Sequence, residues 1–214
     1  MRELWIAFLR LFFRLLYNEL AWSYDVVASL VSRGQWEAWS RRALAHLQGE
    51  RVLELGHGPG HLLIAMAERG FSPLGLDLSS YMGRRAQQRL RGAGVSIPLV
   101  QARAQALPLR DGSLDSAVAT FPTDFIADSR TLGEVVRVLE PEGRLVVAVC
   151  ARFDGKELVS RFLTWLFRAT GQSEPSPYRL KPLLAPVGLS AKVVWERVGS
   201  AAVMVVVADK VGGI

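Results

Sequence analysis

Residues 52–61 read VLELGHGPGH, an apolar run that meets Gly56, Gly58 and Gly60 at alternate positions. A strand that ends this way must turn sharply, because glycine tolerates backbone angles that other residues resist. It also lets a ligand approach the main chain closely, with the amides at the start of a following helix facing it. A plain structural turn satisfies the same pattern, so three further details matter. The spacing is G-x-G-x-G, whereas a dinucleotide fingerprint reads G-x-G-x-x-G. Glu54 stands two residues before the first glycine, where a carboxylate would accept a hydrogen bond from a cationic ligand and partly neutralise it. Asp77 stands at the end of the next predicted strand, where an acid grips ribose hydroxyls; its bland alternative is a helix N-cap.

From residue 51 the apolar pattern alternates between strands and helices. Strands are predicted at 51–55, 72–77, 95–101, 116–120 and 144–150. Helices are predicted at 60–69, 79–90 and 130–139. Gly70 marks a helix stop and Ser79 or Ser80 a helix cap. Pro141-Glu142-Gly143 is expected to turn into the fifth strand. This alternation predicts a parallel sheet with helices on both faces. Beyond an amphipathic helix at 156–169 and an irregular stretch at 171–186, two β-rich runs at 191–197 and 201–208 flank Val198-Gly199-Ser200. They predict a hairpin. The fold class expected is α/β, with a seven-stranded mixed sheet.

Residues 1–50 differ. They are predicted helical, to about residue 20 and again at 24–32 and 35–47, and they hold Trp5, Trp22, Trp36 and Trp39. In the first helix Glu3, Ala7, Arg10, Arg14 and Asn18 form one narrow stripe on an otherwise apolar cylinder. Its longest uncharged stretch, from Glu3 to Arg10, is far short of the ~20 residues that span a bilayer. No small-residue cleavage site follows it. Such a helix packs on its own protein, forms a homodimer contact, or lies peripherally on a membrane.

At 214 residues the chain fits one domain, and half of its residues are hydrophobic. The formal charge is +6, but the lysines are only Lys156, Lys181, Lys192 and Lys210, and the arginines are scattered without a run. A dedicated nucleic-acid arm is therefore not visible. Cys150 is the sole cysteine, which excludes an internal disulfide and a cysteine-rich zinc site. It is expected at a buried strand end, in a reducing, cytoplasmic setting. No histidine–carboxylate metal spacing and no G-x-S-x-G elbow occur.

These residues together resemble the class I S-adenosylmethionine-dependent methyltransferases, in particular their quinone-biosynthesis-like, small-molecule branch. The resemblance runs from about residue 17 to 210 and is most specific over 52–82 and 100–148. It implies a Rossmann-like sheet, parallel with an antiparallel last strand, in a domain at 51–214 behind a helical lid at 1–50. VLELGHGPGH is similar to the family's first motif, so Glu54, Gly56, His57, Gly58, Pro59 and Gly60 would hold the methionine part of the cofactor. GLDLSSYM is similar to the second, so Asp77 would hold ribose while Leu78 and Met82 flank adenine. QARAQALPLRDGSLDSAV places Ala104 and Gln105 at the adenine edge, and LEPEGRLVV resembles the entry to the fifth strand. The family carries an acidic residue before that alanine; this chain has Arg103, expected to point outward. The resemblance implies S-adenosylmethionine as cofactor, S-adenosylhomocysteine as product, no metal, and a small-molecule acceptor.

The acceptor side is more sparsely encoded. Ligands in such folds bind at the carboxyl ends of the strands. Thr120, Phe121, Pro122, Thr123, Asp124 and Phe125 follow the fourth strand and would line the meeting point of cofactor and acceptor. The catalytic candidates are His57, Asp124 and Tyr24. Tyr17, Trp22 and Tyr24, in LLYNELAWSYD, resemble the stretch the family folds over its site; core packing is their other reading. A sulfonium methyl is already activated, so in-line displacement needs proximity, orientation and a dry pocket more than a base. An aromatic N-terminal segment favours a hydrophobic or aromatic acceptor. The competing readings are a non-catalytic cofactor-binding scaffold of the same fold and a nicotinamide-dependent oxidoreductase, which the glycine spacing and the hairpin oppose.

Overall fold

The computed structural model describes residues 35–153, 182–199 and 201–212. The helices expected at 1–34 and 156–169, with Tyr17, Trp22 and Tyr24, lie outside the described residues. The described elements begin with helix α1 (Trp36–Ser40), which tightens into a 3-10 turn at Arg41–His46 where one continuous helix was expected. Ser40 marks the change: its hydroxyl donates back to the Trp36 carbonyl at 3.1 Å, a bond that bends helices. Then follow β1 (Arg51–Leu55), α2 (His61–Ala67), β2 (Ser72–Asp77), α3 (Ser80–Gly92), β3 (Leu99–Gln101), β4 (Leu114–Thr120), α4 (Ser129–Val138), β5 (Leu139–Phe153), β6 (Leu189–Val198) and β7 (Ala201–Lys210).

The seven strands form one sheet in the order β3-β2-β1-β4-β5-β7-β6. β1 pairs in parallel with β2 and β4, β2 with β3, and β4 with β5. β7 runs antiparallel to β5 and to β6, closing the expected hairpin, whose turn Gly199 takes a φ of 57°. Two strands differ from expectation. β3 starts only at Leu99 because Pro98 has no N–H for a ladder; its carbonyl still accepts from Gly75 at 3.0 Å. β5 runs straight through the expected turn at 141–143. The pairing shifts there, from Leu114 opposite Leu139 to Ser116 opposite Arg144, and Glu142 adopts a φ of 65°. The proline-glycine triplet therefore makes a bulge inside the strand. Cys150 sits half-buried within that strand, before its end.

Side chains alternate across the strands, so each strand feeds two cores. Leu53, Leu55, Ala117, Ala119, Leu145 and Val147 pack beneath Leu132, Val135 and Val138 of α4. Val52, Val118, Val146 and Ala148 pack on the other face, beneath Trp39, Ala43, Leu44, Leu63 and Met66. Burying each of these valine, leucine and methionine side chains contributes about 1.5–3 kcal/mol. Both faces are covered, which is why β1 and β4 read as nearly continuous apolar runs. The amino-terminal edge of the sheet is tied by Asp115, which accepts from the Glu50 and Arg51 amides at 2.8 Å each. Hydrogen bonds from the Arg51 side chain, above all, hold its carboxyl well below the usual range. Among the described residues no helix is long and apolar enough to cross a membrane.

Gly75 is the tightest point on the α2 face. A Cβ there would stand 2.8 Å from Leu99 and 2.9 Å from both His57 and Leu63. Gly75→Ala is expected to cost about 1–3 kcal/mol by overpacking, read as a lower midpoint in denaturant unfolding; an unchanged midpoint would contradict this packing.

Candidate functional site

The parallel strands β1 to β4 all end at one edge, and the glycine loop turns there. The Gly56 and His57 amides both donate to the Leu76 carbonyl, at 2.7 and 3.2 Å, which folds the chain over the end of β2. Gly56, Gly58 and Gly60 adopt φ values of 72°, 52° and 86°, the left-handed region that glycine enters without strain. Gly60 also lies against α3: a Cβ there would meet Ala86 at 3.0 Å. Arg89 of α3 donates to the Pro59 carbonyl at 2.6 Å and pins the loop from the same side.

Asp77 joins these parts. One carboxylate oxygen accepts from the Gly58 amide at 2.9 Å and the other from the Ser79 amide at 2.8 Å. The cap of α3 is Ser79, whose hydroxyl accepts from the Met82 amide at 3.3 Å, so Asp77 is not the cap. Each carboxylate oxygen has a second acceptor position.

Glu54 and Asp77 fall on the same face, because Leu53, Leu55 and Leu76 all point to the other. Glu54 is only 2% exposed, and its Oε2 has no hydrogen-bond partner among the described residues. Burial, and then the charge of Asp77, push its carboxyl well above the usual range. His57 is buried beside them. Its Nδ1 lies 2.7 Å from the Gly58 carbonyl, which can only accept, so the proton sits on Nδ1. Burial lowers its basicity despite the nearby Asp77 charge. The ring packs inward over Gly75 with Leu63 and Leu99. His57, expected within reach of the reacting centre, has its side chain in the core beneath the left-handed turn at Gly56 and Gly58.

The remaining candidates gather at the same edge with different accessibility. Leu78 is 59% exposed, whereas Met82 is buried in the first turn of α3. Ala104 is buried and Gln105 half-buried in the turn after β3, and the Gln105 side chain donates to Asp128 at 3.2 Å. Arg103 is exposed, as expected. Thr120 and Pro122 are half-buried beyond β4. Asp124 is exposed at the start of the 3-10 turn Asp124–Ala127. Phe121 turns the other way: its ring stacks on Trp36 at 4.4 Å between centroids and faces Trp39 at 6.4 Å. It holds a φ of 48°, a strained conformation for a bulky residue that costs about 1–3 kcal/mol.

Phe125, expected in the segment that lines the site after β4, places its ring 3.4 Å from where a Cβ of Gly56 would be, so it covers the first glycine. Sequence reasoning missed Arg89 at the loop. Its signal was helical spacing: it follows Ala86 by three positions, and Ala86 is the residue that Gly60 meets.

A sheet of this order, with a glycine loop and two acids at the carboxyl edge, is the Rossmann-like fold of class I S-adenosylmethionine-dependent methyltransferases. A candidate S-adenosylmethionine-dependent methyltransferase from Methanococcus maripaludis superposes with a TM-score of 0.69 over 91% of this chain and 93% of that one, at 18% identity. A geranyl diphosphate C-methyltransferase from Streptomyces coelicolor, solved with Mg2+, geranyl diphosphate and S-adenosyl-L-homocysteine, superposes with a TM-score of 0.63 over 81% of this chain and 79% of that one, at 16% identity. At these identities the likeness is one of fold. Residues 52–143 match the methyltransferase domain family. A demethylmenaquinone methyltransferase from Thermus thermophilus is 35% identical over 138 residues, 62% of this chain and 63% of that protein. A ubiquinone/menaquinone biosynthesis C-methyltransferase from Pseudoalteromonas translucida is 33% identical over 141 residues, 61% of this chain and 56% of that protein. The matched segment at 52–143 is therefore similar to a methyltransferase domain, set in a fold shared with S-adenosylmethionine-dependent methyltransferases. It spans less than two thirds of the length of the curated relatives it matches, 63% and 56% in these two cases.

The buried Glu54 carboxyl makes stability depend on pH. Unfolded glutamate ionises near its ordinary value, whereas Glu54 in the fold does so only at higher pH. Its neutral form therefore supports folding in acid, and that support is lost as pH rises toward the folded value. Glu54→Gln, which cannot ionise, is expected to raise the melting temperature of the ligand-free protein. The gain should grow with pH by up to about 1.4 kcal/mol per unit within that window. A melting difference that does not change with pH would contradict the burial of this group.

Proposed function

We propose that this protein transfers a methyl group from S-adenosylmethionine to a small, hydrophobic or aromatic acceptor by in-line displacement. The observation that carries the cofactor assignment is the buried Glu54 oxygen without a donor among the described residues, beside an Asp77 carboxylate fixed to the glycine loop. A ligand bearing both an ammonium and a ribose answers both groups. In this reading Glu54 faces the ammonium, and the backbone of Gly56, Gly58, Pro59 and Gly60 cradles the methionine chain. Asp77 accepts from ribose with its remaining lone pairs. Exposed Leu78 offers a surface to adenine, supported from behind by Met82, with Ala104 and Gln105 at the ring's edge. His57 supports the loop from inside.

S-adenosylmethionine, when bound, supplies a methyl already activated on a sulfonium. The chain's task is then to position and to exclude water. Thr120 and Pro122 stand beyond β4 toward the acceptor. Phe121 fixes the path of that segment through its tryptophan contacts, and Phe125 shields Gly56. Asp124, exposed at the same edge, is the candidate among the described residues for taking a proton from an acceptor that must lose one. A hydrophobic or aromatic acceptor is supported by the names of the relatives, which act on demethylmenaquinone, and by the density of aromatic residues around 1–50.

Calorimetry tests the cofactor and turnover tests the acceptor. S-adenosylmethionine and S-adenosylhomocysteine are expected to bind, and Asp77→Ala to weaken both by tenfold or more, the scale of a lost charged hydrogen bond. A panel of quinols, catechols and polar metabolites, read as S-adenosylhomocysteine release, is expected to show turnover with the hydrophobic aromatic members. Turnover confined to polar metabolites would contradict the acceptor class, and tight binding without turnover on any acceptor would favour a cofactor-binding scaffold.

A further inference from the structure

Resting on the cofactor reading above, we propose that Glu54 is a proton-for-ammonium exchange site: it holds a proton while no ligand is bound and gives it up to solvent as the α-ammonium of the donor enters. Two carboxyl groups lie on one face at the ends of adjacent strands, with different surroundings. Two backbone amides, of Gly58 and Ser79, donate to the half-buried Asp77 at 2.9 and 2.8 Å. Glu54 has 2% exposure and an Oε2 to which none of the described residues donates. Burial without a donor favours the neutral acid, so the proton resides on Glu54.

Among the described residues the surrounding groups offer no substitute. His57 on the loop is committed through Nδ1 to the Gly58 carbonyl. His61, which begins α2, pairs with Glu37 at 2.8 Å. Arg89 on α3 reaches the Pro59 carbonyl. On β4, residues 116–120 (SAVAT) include no ionisable side chain. Asp77 on β2 adds only a like charge.

The orphaned oxygen needs a hydrogen-bond donor, which selects the ligand group. A sulfonium has no N–H or O–H, whereas a primary ammonium has three N–H bonds. The exchange balances simply: the carboxylic acid and the incoming ammonium become a carboxylate–ammonium pair, and one proton passes to the buffer. The ammonium survives methyl transfer, so donor and product alike should release the proton. A nucleoside lacking the amino-acid chain should not.

Calorimetry in buffers of different ionisation enthalpy reads this without turnover. With the full chain at mildly acidic to neutral pH, the heat of S-adenosylhomocysteine binding is expected to vary with the buffer. The slope should approach one proton released per ligand and fade as pH rises. 5′-Methylthioadenosine should bind with a slope near zero, and Glu54→Gln should abolish the slope for S-adenosylhomocysteine. A zero slope for S-adenosylhomocysteine on the wild-type protein, an equal slope for methylthioadenosine, or an undiminished slope in Glu54→Gln would each overturn the exchange while leaving the cofactor reading intact. Failure of S-adenosylhomocysteine to bind at all would overturn both.

Discussion

The site depends on the bridge that Asp77 makes between two backbone amides. Gly58 belongs to the loop after β1 and Ser79 to the entry of α3, and one carboxylate fixes both. Hydrogen bonds to an ionised acceptor are roughly twice as strong as neutral ones. Through that bridge the last residue of β2 sets where the glycine loop lies. The Leu76 carbonyl beneath it, taking the Gly56 and His57 amides, fixes the loop's height over the sheet. Arg89 and Ala86 close the third side from α3. The loop is thus held by contacts that leave its glycines as the approach to the edge.

Much of this frame was legible in the sequence because it rests on local chemistry. β1 and β2 appear at their expected bounds, since short apolar runs between a turn and a glycine have few alternatives. Ser79 caps its helix because a hydroxyl before a helical run can accept the amide three residues on. The acids at 54 and 77 were visible by position alone. What escaped was tertiary. The direction of His57 follows from two left-handed glycines, and no pattern of residue types states which way such a turn throws a side chain. Phe125 was expected near the site, but that it covers Gly56 in particular depends on a contact across a loop and a strand end. The bulge in β5 carries the residues of a turn but is held straight by pairing to β4 and β7.

The two sides of the site are unequal in how firmly the chain defines them. The proposed cofactor side is built from the strand ends of β1 and β2, with Glu54 buried and Asp77 half-buried, which rigid elements position. The proposed acceptor side begins at Phe121, a strained residue braced by Trp36 and Trp39 from outside the matched family segment at 52–143. An aromatic brace of that kind ties the segment after β4 to the residues that precede the sheet. Acceptor choice in this chain is therefore expected to follow the N-terminal residues more than the glycine loop.

The central claim is that Glu54, the glycine loop and Asp77 form one cofactor cradle. A crystal structure of the full chain with S-adenosylhomocysteine tests it most directly. The account predicts ligand density along 56–60, the ammonium within hydrogen-bonding distance of Glu54, and ribose hydroxyls on Asp77 while its bonds to Gly58 and Ser79 persist. Density elsewhere on the protein, or a bound ligand whose ammonium avoids Glu54 and whose ribose avoids Asp77, would contradict it.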